Sequence, residues 1–390
     1  MIRLAGTLVS ARNIDALDRR LIIKLSRDAS EVSKSDGTTA LLLSPGATAP
    51  DHCTAVAVTG HQCVPSRIAP YFELPSDCEY VADGDIIRLE PSKNRFRVLF
   101  RKSSAHNNFL VTEQCDNFCL MCSQPPKKVD DRWVLEDLFQ TVQLIEPDTK
   151  AIGFTGGEPT MWGERFIDLI TLCRERLPGT SVHVLSNGRR FSDPTFSKAW
   201  ASISHRDLMI GIPVYSDLST VHDFVVQADG AFDETVRGIL NLKERRQRVE
   251  IRVVLHKQTF ARLPQLARFI ARNLLFVDHV AFMGLEITGF TRANLEQLWI
   301  DPVEYQRELY DAVTTLDDFG VPTSIYNLQL CLLDRRLWRY AVRSISDWKR
   351  DYFPACGNCA VRSDCGGVFV SAVYRHSKHI KAILQSGRSQ

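Results

Sequence analysis

The chain has 390 residues, of which 44% are apolar and 24% charged, with a formal net charge of +2. That is room for two or three domains and a large core, and the near-neutral balance excludes a general nucleic-acid footprint. No run of about 18 apolar residues is present, and the N-terminal MIRLAGTLVSARNIDALDRR lacks a secretory apolar core, so a cytoplasmic protein without a membrane span is expected. In that compartment the eleven cysteines are metal ligands or free thiols rather than disulfides.

Residues 1–103 read as a small β-rich domain. Short runs such as AVAVTG (55–60) and DIIRLEP (85–91) are divided by turn residues, among them Asp83-Gly84-Asp85, and RFRVLF (95–100) alternates apolar and polar. GTTALLLSPGATAPD (37–51) contains a loop. Cys53, Cys63 and Cys78, like the later Cys173, stand alone and read as buried small hydrophobes.

From about residue 104 the pattern becomes strand, loop, helix, repeated. Strands are predicted at 108–112, 150–155, 181–186, 208–215, 249–255 and 279–285. Between them, apolar residues three or four apart predict helices at 134–146, 164–177, 194–203, 231–247 and 261–275. The polar KERRQR (243–248) reads as a solvated helix end and His222-Asp223 as a helix start. Six β-α units in series imply an α/β fold: a parallel sheet covered by helices and curved into a partial barrel over 104–300. Ligands in such sheets bind at the carboxyl ends of the strands. A further helix at 302–319 leads into a cysteine-rich stretch, 301–375, followed by a tail, 376–390. Within it DRRLWRYAVR (334–343) reads as helical.

The strand ends carry the polar residues. After the first strand, EQCDNFCLMCSQPP places Cys115, Cys119 and Cys122 within eight residues. A structural zinc site is closed by four ligands, and a [4Fe–4S] cluster normally takes four cysteines. Three thiolates therefore suit a cluster with one iron left open. His106 precedes the strand and belongs at its other end. After the second strand come Thr155-Gly156-Gly157-Glu158-Pro159, whose glycines let backbone approach a ligand closely and whose glutamate offers a carboxylate. Ser186-Asn187-Gly188, Tyr215-Ser216-Asp217 and Glu286 follow the third, fourth and sixth strands.

A second set lies near the C-terminus. Cys356, Cys359 and Cys365 are spaced x2 and x5, with Cys331 upstream. Four thiolates there would close a site, as structural zinc or as an auxiliary iron–sulfur cluster.

CDNFCLMC followed one unit later by TGGEP resembles the radical S-adenosylmethionine (radical SAM) superfamily, over roughly residues 107–290. The resemblance implies a partial (β/α)6 radical SAM barrel with Cys115, Cys119 and Cys122 holding a [4Fe–4S] cluster whose open iron binds the amine and carboxylate of S-adenosylmethionine (SAM). Gly156, Gly157 and Glu158 match the stretch that positions the SAM amine, while Ser186, Asn187 and Ser216 lie where the family contacts carboxylate and ribose. Before the third cysteine the family is usually aromatic; here Met121 stands, an apolar group able to pack against adenine. The family's chemistry is one-electron cleavage of SAM to a 5′-deoxyadenosyl radical that abstracts hydrogen from a substrate, with the protein supplying position and shielding. No side chain is assigned as a catalytic acid or base.

CxxCx5C resembles the SPASM/twitch extensions of peptide-modifying radical SAM enzymes. The full SPASM run has a further cysteine four residues on, where this chain has Phe369, so a shortened, twitch-like extension is expected, with Cys331 as fourth ligand of an auxiliary [4Fe–4S] cluster. The chain is most similar to His-Xaa-Ser system radical SAM maturases of the HxsC type. That likeness implies a ribosomally made precursor peptide with His-Xaa-Ser repeats, a companion radical SAM maturase and an electron donor such as flavodoxin or ferredoxin. A radical SAM enzyme acting on a small molecule and a zinc-stabilised binding protein are the competing readings. Oligomeric state is not legible.

Overall fold

The computed structural model describes residues 4–14, 20–34 and 37–384. Eight short strands form the N-terminal sheet: β1 (Ala5–Thr7), β2 (Ser10–Arg12), β3 (Leu21–Ser26), β4 (Thr39–Leu42), β5 (Ala55–Val58), β6 (Tyr71–Leu74), β7 (Ile86–Glu90) and β8 (Arg95–Phe100), with helix α1 (Ala29–Ser33) between β3 and β4. Their order is β1-β8-β7-β3-β4-β5-β6-β2. Only Leu8 and Val9 separate β1 from β2, which pair at opposite ends of that order. Leu8 N–H donates to Asn94 on one side and Val9 N–H to Glu73 on the other. The continuous β1–β2 segment therefore bridges the two ends of the sheet and curls it towards a small barrel. Its core includes Leu25, Val56, Phe72, Leu74, Ile87 and Leu89. The stretch read as containing a loop opens with β4 and continues as the expected loop, while Cys53 and Cys63 are half-buried rather than buried like Cys78 and Cys173.

The second sheet follows the predicted repeat: β9 (Asn108–Leu110), α2 (Arg132–Leu144), β10 (Ala151–Thr155), α3 (Glu164–Arg176), β11 (Ser181–Leu185), α4 (Pro194–Ser202), β12 (Leu208–Pro213), α5 (Ser219–Val226), α6 (Ala231–Glu244), β13 (Arg248–Val254), α7 (Leu263–Asn273) and β14 (His279–Met283). The chain continues through α8 (Gly289–Ala293), α9 (Leu295–Leu298), α10 (Gln306–Asp318), β15 (Thr323–Tyr326) and β16 (Ala341–Val342). All pairings from β9 to β16 are parallel and in chain order. The partial barrel is thus extended by two short strands beyond the six expected; neither TSIY nor a two-residue strand is long enough to announce itself by periodicity. A two-stranded ribbon, β17 (Arg350–Asp351) with β18 (Val368–Phe369), lies in the cysteine-rich stretch.

Each helix covers the sheet with the face its spacing defines. In α7, Leu263, Leu266, Ala267 and Ile270 are buried, three and four residues apart. Two helix readings change. His222-Asp223 lies inside α5, and Asp223 instead caps the next helix, accepting from Gly230 and Phe232 N–H at 2.7 and 2.8 Å. Arg335–Tyr340 is a 3₁₀ turn leading into β16 rather than a helix. Asp137 of α2 joins the two sheets: it accepts from Arg20 and Arg88, both at 3.3 Å, and both guanidinium groups lie over Trp133. No helix among the described residues is long and apolar enough to cross a membrane.

Candidate active site

Strand β9 ends at Leu110, and the chain turns into the first cysteine loop. Asp131, buried at the start of α2, fixes that turn: its carboxylate accepts from Thr112 Oγ1 at 3.0 Å, from Glu113 N–H at 2.5 Å and from Gln114 Nε2 at 3.1 Å. The TGGEP run lies alongside. Gly157 N–H donates to Thr112 O and Glu158 N–H to Gln114 O, both at 2.7 Å. A Cβ on Gly157 would overlap the Gln114 carbonyl, and one on Gly156, whose φ is +133°, would come within 2.5 Å of Thr112 O. The glycines are needed because the backbone of the cysteine loop itself passes there.

Glu158 is 2% exposed and ties two strand ends together. Its Oε1 accepts from Thr160 N–H (3.0 Å), Thr160 Oγ1 (2.6 Å) and Ser186 Oγ (2.8 Å), and its Oε2 from Asn187 N–H (2.6 Å). Burial pushes its carboxyl above the ordinary value, against the pull of these donors. Asn187 then reaches the cysteine loop, donating from Nδ2 to Asp116 at 2.6 Å. Arg189 adds bonds to Asp116 O at 3.0 Å and Asn117 Oδ1 at 2.8 Å, and is held by Glu234 at 2.6 Å. Ser216 is buried and occupied locally, accepting from Leu218 N–H. The structure thus gathers Gly156, Gly157, Glu158, Ser186 and Asn187 around the loop of Cys115, whereas Ser216 serves the turn before α5.

The three thiols share one environment. Cys115, Cys119 and Cys122 are half-buried. Burial, and then the nearby Glu158 and Asp116 carboxylates, pushes Cys115 up to about 12; burial and the neighbouring Cys122 and Cys115 push Cys119 further, while Cys122 is also raised by burial. Three neighbouring thiols that resist ionisation in apolar surroundings become good ligands when a cation compensates the charge. Among the described residues, no group of three or more His, Cys, Asp or Glu side chains converges on one metal ion. Cluster ligands grip a body several ångströms wide and stand further apart than ligands of one ion. Met121 packs with Tyr215, Val225, Val226 and Leu298 in a small apolar cluster that also touches Cys119. That side chain is spent on seating the loop.

Polar residues inside the barrel escaped the sequence reading. Glu250, 3% exposed, accepts from Arg252 Nη1 at 2.5 Å and from His279 Nδ1 at 2.8 Å, while His279 Nε2 meets Ser324 Oγ at 2.9 Å. Burial works against the charge on Glu250, but the His279 hydrogen bond and the Arg252 guanidinium hold it down to about 2. His183 Nε2 stands 3.6 Å from the same carboxylate and is pushed down to about 4 by burial. The available signal was alternation: in VEIRVV, Glu250 and Arg252 interrupt a strand whose other face, Val249, Ile251 and Val253, is fully buried. A helix-covered strand with one polar face marks a barrel lumen.

The second cysteine set also comes together. Cys331, Cys356, Cys359 and Cys365 line one pocket with Leu330, Val361, Val368 and Ile380, which encloses about 370 Å³ of non-atom space, part of it open to solvent. Of the stretch read as a tail, 376–390, the residues up to 384 are described and reach this pocket: Ile380 and Lys381 line it, and Ile383 N–H lies 3.4 Å from Cys359 Sγ. A neighbouring cavity of about 580 Å³, again partly open, shares Gln329, Val368 and Ile380 with it and extends to the strand ends at Leu255, Gly284, Leu285 and Asn327.

Residues 109–270 match the model of the Radical SAM superfamily. That stretch is similar to the radical SAM superfamily. No curated protein matches the chain. Among solved structures, the chain is similar to Streptococcus suis SuiB bound to S-adenosylmethionine, at 15% identity and a TM-score of 0.47, covering 57% of this chain and 51% of that one. It is also similar to anSMEcpe with bound AdoMet, at 17% identity and 0.44, covering 56% and 62%. A third is coproporphyrinogen III oxidase (HemN) of Escherichia coli, at 13% and 0.44, covering 56% and 54%. The chain spans about half the length of the SuiB structures it matches. The matched superfamily implies SAM and a [4Fe–4S] cluster, and the half-buried triad of thiols on a loop anchored by Asp131, Asn187 and Arg189 fits the cluster.

Proposed function

We propose that this protein is a radical SAM maturase of a ribosomally made precursor peptide, of the His-Xaa-Ser repeat type. Cys115, Cys119 and Cys122 hold the [4Fe–4S] cluster that leaves one iron for SAM. Bound there, cluster and SAM supply a 5′-deoxyadenosyl radical able to take hydrogen from a substrate. The chain's own residues position and shield. Gly156, Gly157, Ser186, Asn187 and Ser216 are the proposed SAM-contacting set, and Glu158 orders that rim by tying β10 to β11. Residues 1–103, 104–300 and 301–375 form the β-rich, radical SAM and auxiliary-site domains. Cys331, Cys356, Cys359 and Cys365 hold an auxiliary [4Fe–4S] cluster; four thiolates close it, so it stores or passes electrons rather than binding substrate at iron. Eleven free thiols suit a reducing cytoplasm with a flavodoxin or ferredoxin as donor. A companion maturase completes the proposed system.

The supporting observation is the cavity of about 580 Å³ that runs from the strand ends to the wall of the four-cysteine pocket. A substrate lodged there would lie at the strand ends, beside the four-cysteine pocket. Anaerobic reconstitution with iron, sulfide, SAM and dithionite tests the reading. The expected products are 5′-deoxyadenosine and, with a synthetic His-Xaa-Ser repeat peptide, a mass change in the peptide. Cys115→Ala, Cys119→Ala and Cys122→Ala should each abolish 5′-deoxyadenosine. Formation of that product by any of the three overturns the ligand assignment. SAM cleavage with an unaltered peptide overturns the substrate.

A further inference from the structure

We propose that the C-terminal segment 377–384 is a built wall of the auxiliary site, whose backbone amides set the reduction potential of the cluster held there. The proposal rests on reading the four cysteines as cluster ligands. The ligands come from two places, Cys331 on a 3₁₀ turn after β15 and the other three between β17 and β18. The C-terminal segment supplies a further side. Ile380 and Lys381 line the pocket beside all four thiols. Ile383 is gripped on both its backbone groups: its carbonyl accepts from Ala360 N–H at 2.8 Å, and its own N–H points at Cys359 Sγ at 3.4 Å. The Lys381 backbone N–H faces the Cys331 thiol and favours its charged form. The segment is anchored where Ser377, 3% exposed, accepts from His379 N–H at 3.1 Å.

One amide thus bonds one sulfur and a second faces another, from a part of the chain that carries no ligand. Such bonds have a definite consequence. Reduction adds negative charge to a cluster and its sulfurs, so an N–H donor stabilises the reduced form more than the oxidised form and raises the potential. The Arg362 and Lys381 side chains, which also border the pocket, act in the same direction. Ile380 and Val361 keep water away, which alone would disfavour the more charged, reduced form. The amides offset that penalty without an added ligand.

The test uses the full chain with Cys115, Cys119 and Cys122 all changed to Ala, so that any cluster signal comes from the auxiliary site. In this background Ile383→Pro deletes the N–H, and Ile383→Ala keeps it while removing the same side chain. After anaerobic reconstitution, iron is counted and the cluster titrated by electron paramagnetic resonance at controlled potentials. All three proteins should carry about four irons. The Pro variant should show a tenfold lower reduced-to-oxidised ratio at a given potential, a fall of about 59 mV for one electron, and the Ala variant should titrate with its parent. Loss of iron from the Pro variant alone also supports the proposal, since the amide is then needed to hold the cluster. A Pro variant that loads iron and titrates with its parent overturns it. An iron-free parent overturns the ligand reading, and this proposal with it.

Discussion

Ser186 donates its hydroxyl to Glu158 at 2.8 Å, and the next residue donates its backbone N–H to the same carboxylate at 2.6 Å, so one buried side chain couples the ends of β10 and β11. Asn187 then carries that coupling to Asp116, between the first two cysteines of the loop. The carboxylate of the TGGEP run therefore acts on the cysteine loop through a chain of hydrogen bonds.

Glu158→Gln should weaken this rim more than Ser186→Ala does. An amide NH₂ would face one of the four donors, leaving buried donors without an acceptor, at a cost of about 3 kcal/mol. Removing the Ser186 hydroxyl deletes one bond of four, about 1 kcal/mol. Urea denaturation of the two variants beside wild type checks the order. Equal midpoints would show that Glu158 is not the tie described.

Gly157→Ala should displace the cysteine loop, because the new methyl group would overlap the Gln114 carbonyl two residues after Thr112. Iron loading at the first site should fall sharply. Gly179 is the control: nothing lies within 4 Å of a Cβ there, and Gly→Ala should change stability by no more than about 1 kcal/mol. Normal iron content in Gly157→Ala would place the loop elsewhere.

Acid should destabilise the fold in two stages. His183, His222 and His256 are each pushed down to about 4 by burial. Below about 6.5 the unfolded chain binds protons at these sites that the folded chain refuses, so stability falls as pH drops from about 6.5 to 4, by up to about 3 kcal/mol for each of the buried His222 and His256 and by less for His183, whose side chain is 35% exposed. Glu250, held down to about 2, contributes stability above its ordinary value of 4.5 that is lost as pH falls towards 2. Denaturant midpoints at pH 7.5, 5.5 and 4.5 should decrease in that order. His256→Gln should flatten the first stage, since both ring nitrogens of this fully buried histidine lack a partner among the described residues.

Asp137→Ala should loosen the N-terminal sheet from α2. Arg88, 9% exposed, and Arg20 would each lose a carboxylate, at a cost of about 3 kcal/mol together. Limited proteolysis should then cut between the two sheets sooner than in wild type. An unchanged cleavage rate would mean that the other contacts, among them the Lys24–Glu146 ion pair at 2.9 Å and apolar packing, suffice to join them.

The sequence by itself determined the βα repeat, its parallel sheet and the side of that sheet on which the chemistry lies. Apolar spacing sets those elements locally, and Cys115, Cys119, Cys122 and Gly156-Gly157-Glu158 are adjacent in the chain as well as in space. The β-rich character of residues 1–103 was legible for the same reason. What the tertiary structure decided is every relationship between distant residues. The curl of the N-terminal sheet depends on β1 and β2 pairing with opposite ends of one ladder. The partners of Glu158 lie 28 and 29 positions away, and no periodicity encodes a hydrogen bond across strands. Cys331 meets Cys356, Cys359 and Cys365 only because β16 and the β17–β18 ribbon fold back on the turn after β15. Residues 377–384 have the composition of a loose tail. They become part of a cysteine pocket because a backbone N–H has no sequence signature: any residue but proline supplies one, and only its position makes it a ligand's partner.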